Sequence, residues 1–562
     1  MPPPSGDNLI CDLDLLASSG EANNLLQGRR GIEKESLRIR PDGAMALTPH
    51  PRALGAALTH PSITTDYSEA LLELITPAER TPELAIRRLE ELHHVVYASV
   101  GEEMLWNYSM PGHLSENDED IPIAKYGTSN IGRFKHVYRV GLGLRYGRGM
   151  QCIAGVHYNY SLSDDVWNLL HAEQRSHSSI ATFRSSRYFS LIRNFHRTSW
   201  LLLYLFGASP AVDRTVTRER KHALEHFDAE TLFHPFATSL RMSGDLGYSN
   251  TDGQGSLGIE YNSLDGYLKG VCRALNETTR AYQLLGTRRG DEWLQINANA
   301  LQLENELYST IRPKRIPEPA ERPLMALGTK GVQYVEIRCM DIDPFEPVGI
   351  STDTARFLDA YLLFCALADS PFLSVRSSKE AEDNFSLVAM EGRKPRLTLR
   401  RDGNLISLSD WADDLLSNIE RTALTLDTLR GDRTHLRSLE LQRLKIADPT
   451  KTPSARVLQG MADGGLGLRE FGLALSSEHA GRFRAVPVDA MLGNTFEMLA
   501  FASIAEQEKL ERDSVQPFDT FVKEYSAVPV FGSSRSAETG AARNRALEQC
   551  GACPSSAGKV ID

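Results

Sequence analysis

Alternating apolar and polar residues mark four strands in the first two thirds of the chain: Ile32 to Arg38, Ala70 to Thr76, Met150 to Leu162 and Val332 to Met340. Helical spacing fills the intervals. Glu83 to Met104 sets Leu89, Leu92, Val96 and Val100 on one face, and Tyr188 to Phe206 and Thr352 to Ala368 are apolar enough for buried helices. From about Ser407 the period is helical almost throughout, over Trp411 to Leu429, Thr434 to Ile446, Ser454 to Ala462 and Val488 to Arg512. After Tyr525 hydrophobic periodicity gives way to small polar residues. The pattern predicts a mixed α+β core over 1–406, a helical region over 407–525 packed on it, and a disordered tail over 526–562. Long, irregular connections between the strands favour an antiparallel sheet over a doubly wound one.

The polar positions within those strands are the chemically interesting ones. In Gly31-Ile-Glu33-Lys-Glu35 the two carboxylates point to one side of a strand, although an isolated pair of this kind is more often a solvated edge. Glu73, enclosed by Leu71, Leu72, Leu74 and Ile75, must face either water or a cation. Alternation puts Glu336 and Arg338 opposite Val335 and Ile337, and puts His157, Asn159 and Ser161 opposite Val156, Tyr158 and Tyr160. Each taken singly has a bland reading, an ion pair or a satisfied core histidine. Four strands that all present acceptor faces are a different matter. If those faces converge, bare carboxylates repel one another unless divalent cations neutralise them, and magnesium suits oxygen ligands shared with substrate phosphates.

Composition narrows the chemistry. The 562 residues carry a net charge of -11 and 41% hydrophobic residues, the profile of a globular protein that repels polyanions overall. Seven scattered cysteines and a start without a basic region ahead of an apolar run lead to the expectation of a cytoplasmic protein. The longest apolar stretch, Trp200 to Ala208, is about half a bilayer span, so no membrane partner is expected. Cys550 and Cys553 form a lone C-x-x-C in the tail, too little for zinc. The only Gly-Lys pair, Gly558-Lys559, is followed by Val560, which rules out a Walker loop, and Gly253-Gln-Gly255-Ser-Leu-Gly258 lacks a preceding strand. Any ATP must be held by another device.

A candidate for that device is the segment Lys125 to Gly149, with six Lys or Arg residues, six glycines and no acid. It reads as a loop with two possible uses: a single-stranded nucleic-acid track using Tyr126, Phe134 and Tyr138, or a clamp on nucleotide phosphates and a substrate carboxylate. The acidic chain and the carboxylate strands favour the clamp, and no nucleic acid partner is expected.

Several long segments, GIEKESLR, HPSITTDYSEALLELITP, YGTSNIGRFKHVYR, GVHYNYSL, YLFGASPA, LQLENELYSTIRPKR and YVEIRCMDIDPF, resemble the glutamate-cysteine ligases of the proteobacterial type, over about Gly31 to Arg512. The resemblance implies a glutamine-synthetase-like antiparallel sheet funnel surrounded by helices. It implies ATP-dependent joining of the glutamate γ-carboxylate to the cysteine amine through a γ-glutamyl phosphate, the first step of glutathione biosynthesis, with a sister ligase using another amine as the alternative. ATP is then the cosubstrate, magnesium (or manganese) the metal, and small molecules the partners of a monomeric chain.

Carried onto this sequence, the resemblance implies metal ligands at Glu33, Glu35, Asp66, Glu73, His157 and Glu336. Arg133, Lys135, Arg139 and Asn159 go with the nucleotide, and Arg338 with the phosphate or glutamate; Arg338, Glu336, Glu73 and Arg139 carry the phosphoryl transfer. Tyr138, Leu142, Gln151, Arg241, Tyr248 and Tyr308 form the cysteine pocket, with Arg241 on the cysteine carboxylate. One departure stands out. The stretch Ser239-Leu-Arg241-Met-Ser-Gly244-Asp-Leu-Gly-Tyr248 holds an extra glycine, Gly244, relative to the family pattern.

Overall fold

The computed structural model describes residues 7–18, 22–218, 222–244, 257–318 and 321–527. Its centre is a sheet of seven strands: β1 Arg29–Ile39, β2 Ile63–Thr65, β3 Leu71–Ile75, β4 Met104–Trp106, β5 Val156–Ser161, β6 Ile311–Lys314 and β7 Tyr334–Met340. The spatial order is β6-β7-β5-β1-β3-β2, with β4 paired to the end of β1. Every pairing is antiparallel. The eleven-residue β1 is the spine, joining β5 through Arg29 to Lys34, β3 through Glu33 to Leu37 and β4 through Leu37 to Ile39.

Strand alternation divides the sheet into two unlike faces. Ile32, Leu72, Leu74, Val156, Tyr158, Val335 and Ile337 are fully buried on the back. Each such Val, Leu or Ile contributes about 1.5–3 kcal/mol. The helices α1 Pro82–Ser99, α3 Ile180–Thr198, α4 Trp200–Phe206 and α5 Thr352–Leu367 cover this face, while α2 Asn130–Tyr146 stands at the cleft side. The back is not purely apolar. Arg30 pairs with Asp359 of α5 at 2.7 Å, Tyr158 donates to the same carboxylate at 2.9 Å, and Arg38 pairs with Glu103. Lys34, fully buried, donates to Ser36 Oγ at 2.8 Å and lies 3.2 Å from His93 Nε2. Burial pushes its ammonium pKa down to about 7.

Beyond residue 407 the described elements are helices, beginning with α6 Leu408–Arg430. Ser407 caps its start by accepting from Asp410 N, and Gly431 ends it in the left-handed conformation at φ 73°. α6 packs on α5, where Thr422 Oγ1 donates to Ala360 O at 2.8 Å. The tail beyond Ala527, with Cys550 and Cys553, lies outside the described residues.

Several sequence expectations need correction. The run Met150 to Leu162 is one 3-10 turn, Met150–Cys152, followed by the strand Val156–Ser161, because Ala154 N donates to Ser109 O rather than into the ladder. The helix expected to reach Met104 stops at Ser99, before Gly101 at φ 61°, and Met104–Trp106 joins β1. Tyr188 to Phe206 is two helices broken at Ser199. Within the region expected to be helical, Leu468–Ala485 and Phe518–Tyr525 are helices that have no segment of their own in the sequence pattern. The first buries Gly472, Ser476 and His479, which carry no apolar signal; a Cβ on Gly472 would overlap the Trp106 ring. Finally, the basic glycine-rich segment is not a loop. Most of it is α2, where Gly132 allows close approach of the Tyr126 carbonyl and Gly141 that of the Gln302 carboxamide.

Candidate active site

The front face of the sheet is the floor of a cleft of about 1000 Å³. Cross-strand register brings the acceptors together: Glu35 opposite Glu73, Glu33 opposite His157, and Glu336 opposite Asn159. His157 Nδ1 lies 3.3 Å from Glu33 Oε2 and 3.8 Å from Glu336 Oε1, while its Nε2 lies 3.6 Å from Glu35 Oε1. Glu33, His157 and Glu336 present ligand atoms within 4.8 Å of one another. Asp66, in the turn after β2, completes the acidic wall of the cleft.

The electrostatics are those of a carboxylate cluster short of positive charge. Burial, and then Glu33, Asp66 and Glu35, push the Glu73 pKa well above the carboxylate range. Glu35 is raised mainly by burial, and Asp66 adds to it, although Gly155 N donates to its Oε2 at 2.8 Å. Glu336 goes the other way. Its burial alone would raise it, but Lys314, Arg338 and Arg312 outweigh that and hold it ionised. Arg338 Nη1 donates to Glu336 Oε1 at 3.0 Å, and Lys314 Nζ lies 3.5 Å from Oε2.

The residues present fit a hard divalent cation. Glu33, Glu35, Asp66, Glu73, Glu336 and His157 line the same cleft, and the buried Glu336 Oε2 accepts no hydrogen bond. A second group, Asp427, Asp432 and His435, also gathers within 4.8 Å. Its carboxylates are otherwise engaged: Asp427 accepts from the backbone of His435 and Leu436, and Asp432 accepts from Thr434 N and Arg430 Nε.

Beside the acidic floor, α2 contributes Tyr138, Arg139 and Leu142 to the cleft. Arg139 donates to the Asp66 carbonyl and lies over the Tyr126 ring at 4.6 Å. Gln151 Nε2 donates to Tyr308 Oη at 3.1 Å, so these two lining residues form one wall. Arg241 lines the cleft from the turn Leu240–Met242, with Nη2 donating to Arg338 O at 2.9 Å.

The cleft therefore gathers Glu33, Glu35, Asp66, Glu73, Tyr138, Arg139, Leu142, Gln151, His157, Arg241, Tyr308, Glu336 and Arg338. Three residues assigned to the nucleotide are not among the residues that line the cleft. Arg133 is exposed with its guanidinium 4.2 Å from the Phe518 ring centroid, because the helical turn that points Phe134, Tyr138 and Leu142 inward turns Arg133 away. Lys135 sits over Tyr126, outside the cleft lining. Asn159 spends its amide on Glu33 Oε1 at 3.0 Å. Tyr248 lies outside the described residues, as does the segment that follows Gly244; Gly244 itself lines the cleft. Arg312 and Lys314 on β6 were not singled out from the sequence, yet both line the cleft, and Arg312 is the register partner of Glu336.

An antiparallel sheet that floors a cleft with acids and rims it with cations is the architecture of an enzyme site suited to phosphates and divalent ions, with no glycine-rich loop among the described residues. The model of the family "Glutamate-cysteine ligase" matches residues 13–388. The chain is 52% identical over 514 residues to the glutamate--cysteine ligase of Janthinobacterium sp. (strain Marseille), covering 92% of this chain and 97% of that protein. It is also 52% identical over 521 residues to that of Pseudomonas paraeruginosa, covering 93% and 98%. A crystal structure of glutamate--cysteine ligase from Francisella tularensis in complex with AMP superposes with a TM-score of 0.83 at 37% identity, covering 89% of this chain and 97% of that one. The chain belongs to the glutamate-cysteine ligase family.

Proposed function

We propose that this chain uses ATP to activate the γ-carboxylate of glutamate as an acyl phosphate and joins it to the amine of cysteine, giving γ-glutamylcysteine. The observation that carries the reading is the convergence of Glu33, Glu35, Glu73, His157 and Glu336 on one sheet face under a single cleft, in a chain of this family. The AMP named for the Francisella structure supports a nucleotide in this cleft.

Glu33, Glu35, Asp66, Glu73, His157 and Glu336 would hold magnesium, with manganese acceptable to the same ligand set. When bound, the ion supplies positive charge that neutralises the carboxylates and stabilises the oxygens of a transferring phosphoryl group. The chain's own cations supply the rest. Arg338, anchored on Glu336, faces the phosphoryl group, and Arg312, Lys314 and Arg139 line the same cleft. An oxygen of the glutamate γ-carboxylate attacks the γ-phosphorus in line, and ADP leaves. The cysteine amine then attacks the acyl carbon, the carbon–oxygen bond to phosphate breaks, phosphate departs and the surplus proton on nitrogen passes to solvent. Positioning and charge stabilisation are the whole of the catalysis. Tyr138, Leu142, Gln151 and Tyr308 enclose the acceptor, and Arg241 meets its carboxylate.

The reading places the enzyme in the cytoplasm and makes the single chain its working unit. No described helix is long and apolar enough to cross a membrane. Mass spectrometry of a reaction holding ATP, magnesium, glutamate and cysteine tests the proposal. It should show γ-glutamylcysteine and one ADP per peptide bond. A preference for ammonia or a large amine over cysteine and 2-aminobutyrate would reject the acceptor assignment.

A further inference from the structure

Arg241 reaches the cleft from a single 3-10 turn, Leu240–Met242, which cannot by itself fix a long side chain. What fixes it lies behind. Asp341, just past the end of β7 and three residues beyond Arg338, is buried with 4% of its surface exposed. Its Oδ2 accepts from Ser209 Oγ at 2.6 Å and from Ala208 N at 2.8 Å, and its Oδ1 accepts from Ser239 Oγ at 2.9 Å. Ser239 is the N-cap of the Arg241 turn, accepting from Met242 N. The turn is also bound to the 207–209 segment through Leu240 N to Ser209 O at 2.7 Å. One carboxylate thus ties together three separate pieces of chain.

The same carboxylate faces the guanidinium: Arg241 Nη1 lies 3.8 Å from Asp341 Oδ1, while Nη2 is spent on the Arg338 carbonyl. Below the guanidinium is Gly155, where a Cβ would overlap Nη2. Arg241 therefore lies against bare backbone with an anion behind it, and it lines the cleft. A buried cation with an anion on one side presents a fixed, directed charge, and a carboxylate ligand is rewarded only if it arrives along that direction.

We propose that Asp341 is a positioning residue for the acceptor: by holding the Arg241 turn and guanidinium, it sets the preference for amines that carry an α-carboxylate. This rests on the assignment of Arg241 to the acceptor carboxylate made above. The test is steady-state ADP release with cysteine and with cysteamine, which lacks that carboxylate, for the unaltered enzyme, Asp341→Asn and Arg241→Ala.

In Asp341→Asn, kcat/KM for cysteine should fall by about tenfold through KM, the size of one lost charge-assisted interaction, while cysteamine and the KM values for ATP and glutamate stay within about twofold. Arg241→Ala should erase the discrimination between the two amines altogether. If Arg241→Ala still discriminates, the assignment of Arg241 fails and takes this inference with it. If Arg241→Ala loses discrimination but Asp341→Asn keeps it, or loses both amines in parallel, the inference alone is overturned. Should Asp341→Asn not fold, Ser239→Ala keeps the carboxylate and removes the turn's hydrogen bond to Oδ1 together with its N-cap to Met242 N. It should lower the cysteine preference by about threefold, about half of the same interaction energy, and an unchanged preference there overturns the inference.

Discussion

Glu35 and Glu73 are directly opposed partners on adjacent antiparallel strands, two carboxylates on the floor of one cleft. Like charges in that relationship are destabilising on their own account. Their raised pKa values express that strain, and a divalent ion in the cleft would relieve it.

Removing one member of this pair should separate function from stability. Glu73→Gln is expected to lower turnover by more than about 100-fold, since a ligand of the divalent ion is lost. The metal-free variant should melt no lower than the metal-free parent. Turnover assays and thermal melts in chelator check both halves, and a variant with normal turnover removes Glu73 from the site.

The raised pKa values of Glu73 and Glu35 give a pH signature. A carboxyl whose pKa is higher in the fold binds more protons there than when unfolded, so its contribution to stability is full below the ordinary carboxylate range and lost as pH rises through the folded value. Metal-free protein should therefore lose stability as pH rises above that range. Magnesium should restore more at pH 8 than at pH 5, read as the shift in melting temperature on adding the ion.

Arg338→Lys should cost about 100-fold in kcat while leaving KM for cysteine within about twofold. An ammonium cannot both donate to Glu336 and offer a second planar donor to a phosphoryl oxygen. Single-turnover acyl phosphate formation is the measurement, and it should slow as much as kcat does.

Lys34 lies between two of the acids in sequence and points to the opposite face. Lys34→Met removes a buried amine but leaves Ser36 Oγ and His93 Nε2 without that neighbour, so the two effects oppose and stability at pH 7 should change by less than about 1 kcal/mol. The pH dependence should change more. With its pKa lowered from 10.5 to about 7 in the fold, Lys34 makes the unfolded chain bind more protons between those values, so stability rises with pH across that window. The variant should lose this slope in urea titrations at pH 7 and pH 9.

The acidic floor was legible in the sequence because strands have a period of two: Glu33, Glu35, Glu73, His157 and Glu336 sit at positions whose alternate neighbours are apolar or need burial. The antiparallel sheet was legible from the long, irregular connections between the strands. What was not legible depends on close approach in three dimensions. Six glycines made the basic segment look like a loop, yet Gly132 and Gly141 are there so that α2 can pass against Tyr126 and Gln302. Arg312 and Lys314 escaped notice because Pro313 argues against a strand, and β6 tolerates it by being an edge. The helix Leu468–Ala485 hid because its buried face uses Gly472, Ser476 and His479.

Manganese titration followed by electron paramagnetic resonance tests the central claim most directly, in the unaltered chain and in Glu336→Gln, each shown to be folded by circular dichroism. Saturable binding in the parent that ATP strengthens, and that Glu336→Gln weakens by more than about tenfold, is the predicted result. Equal manganese binding by both proteins would mean that Glu336 and its neighbours hold no ion, and that the cleft does not work in the way described.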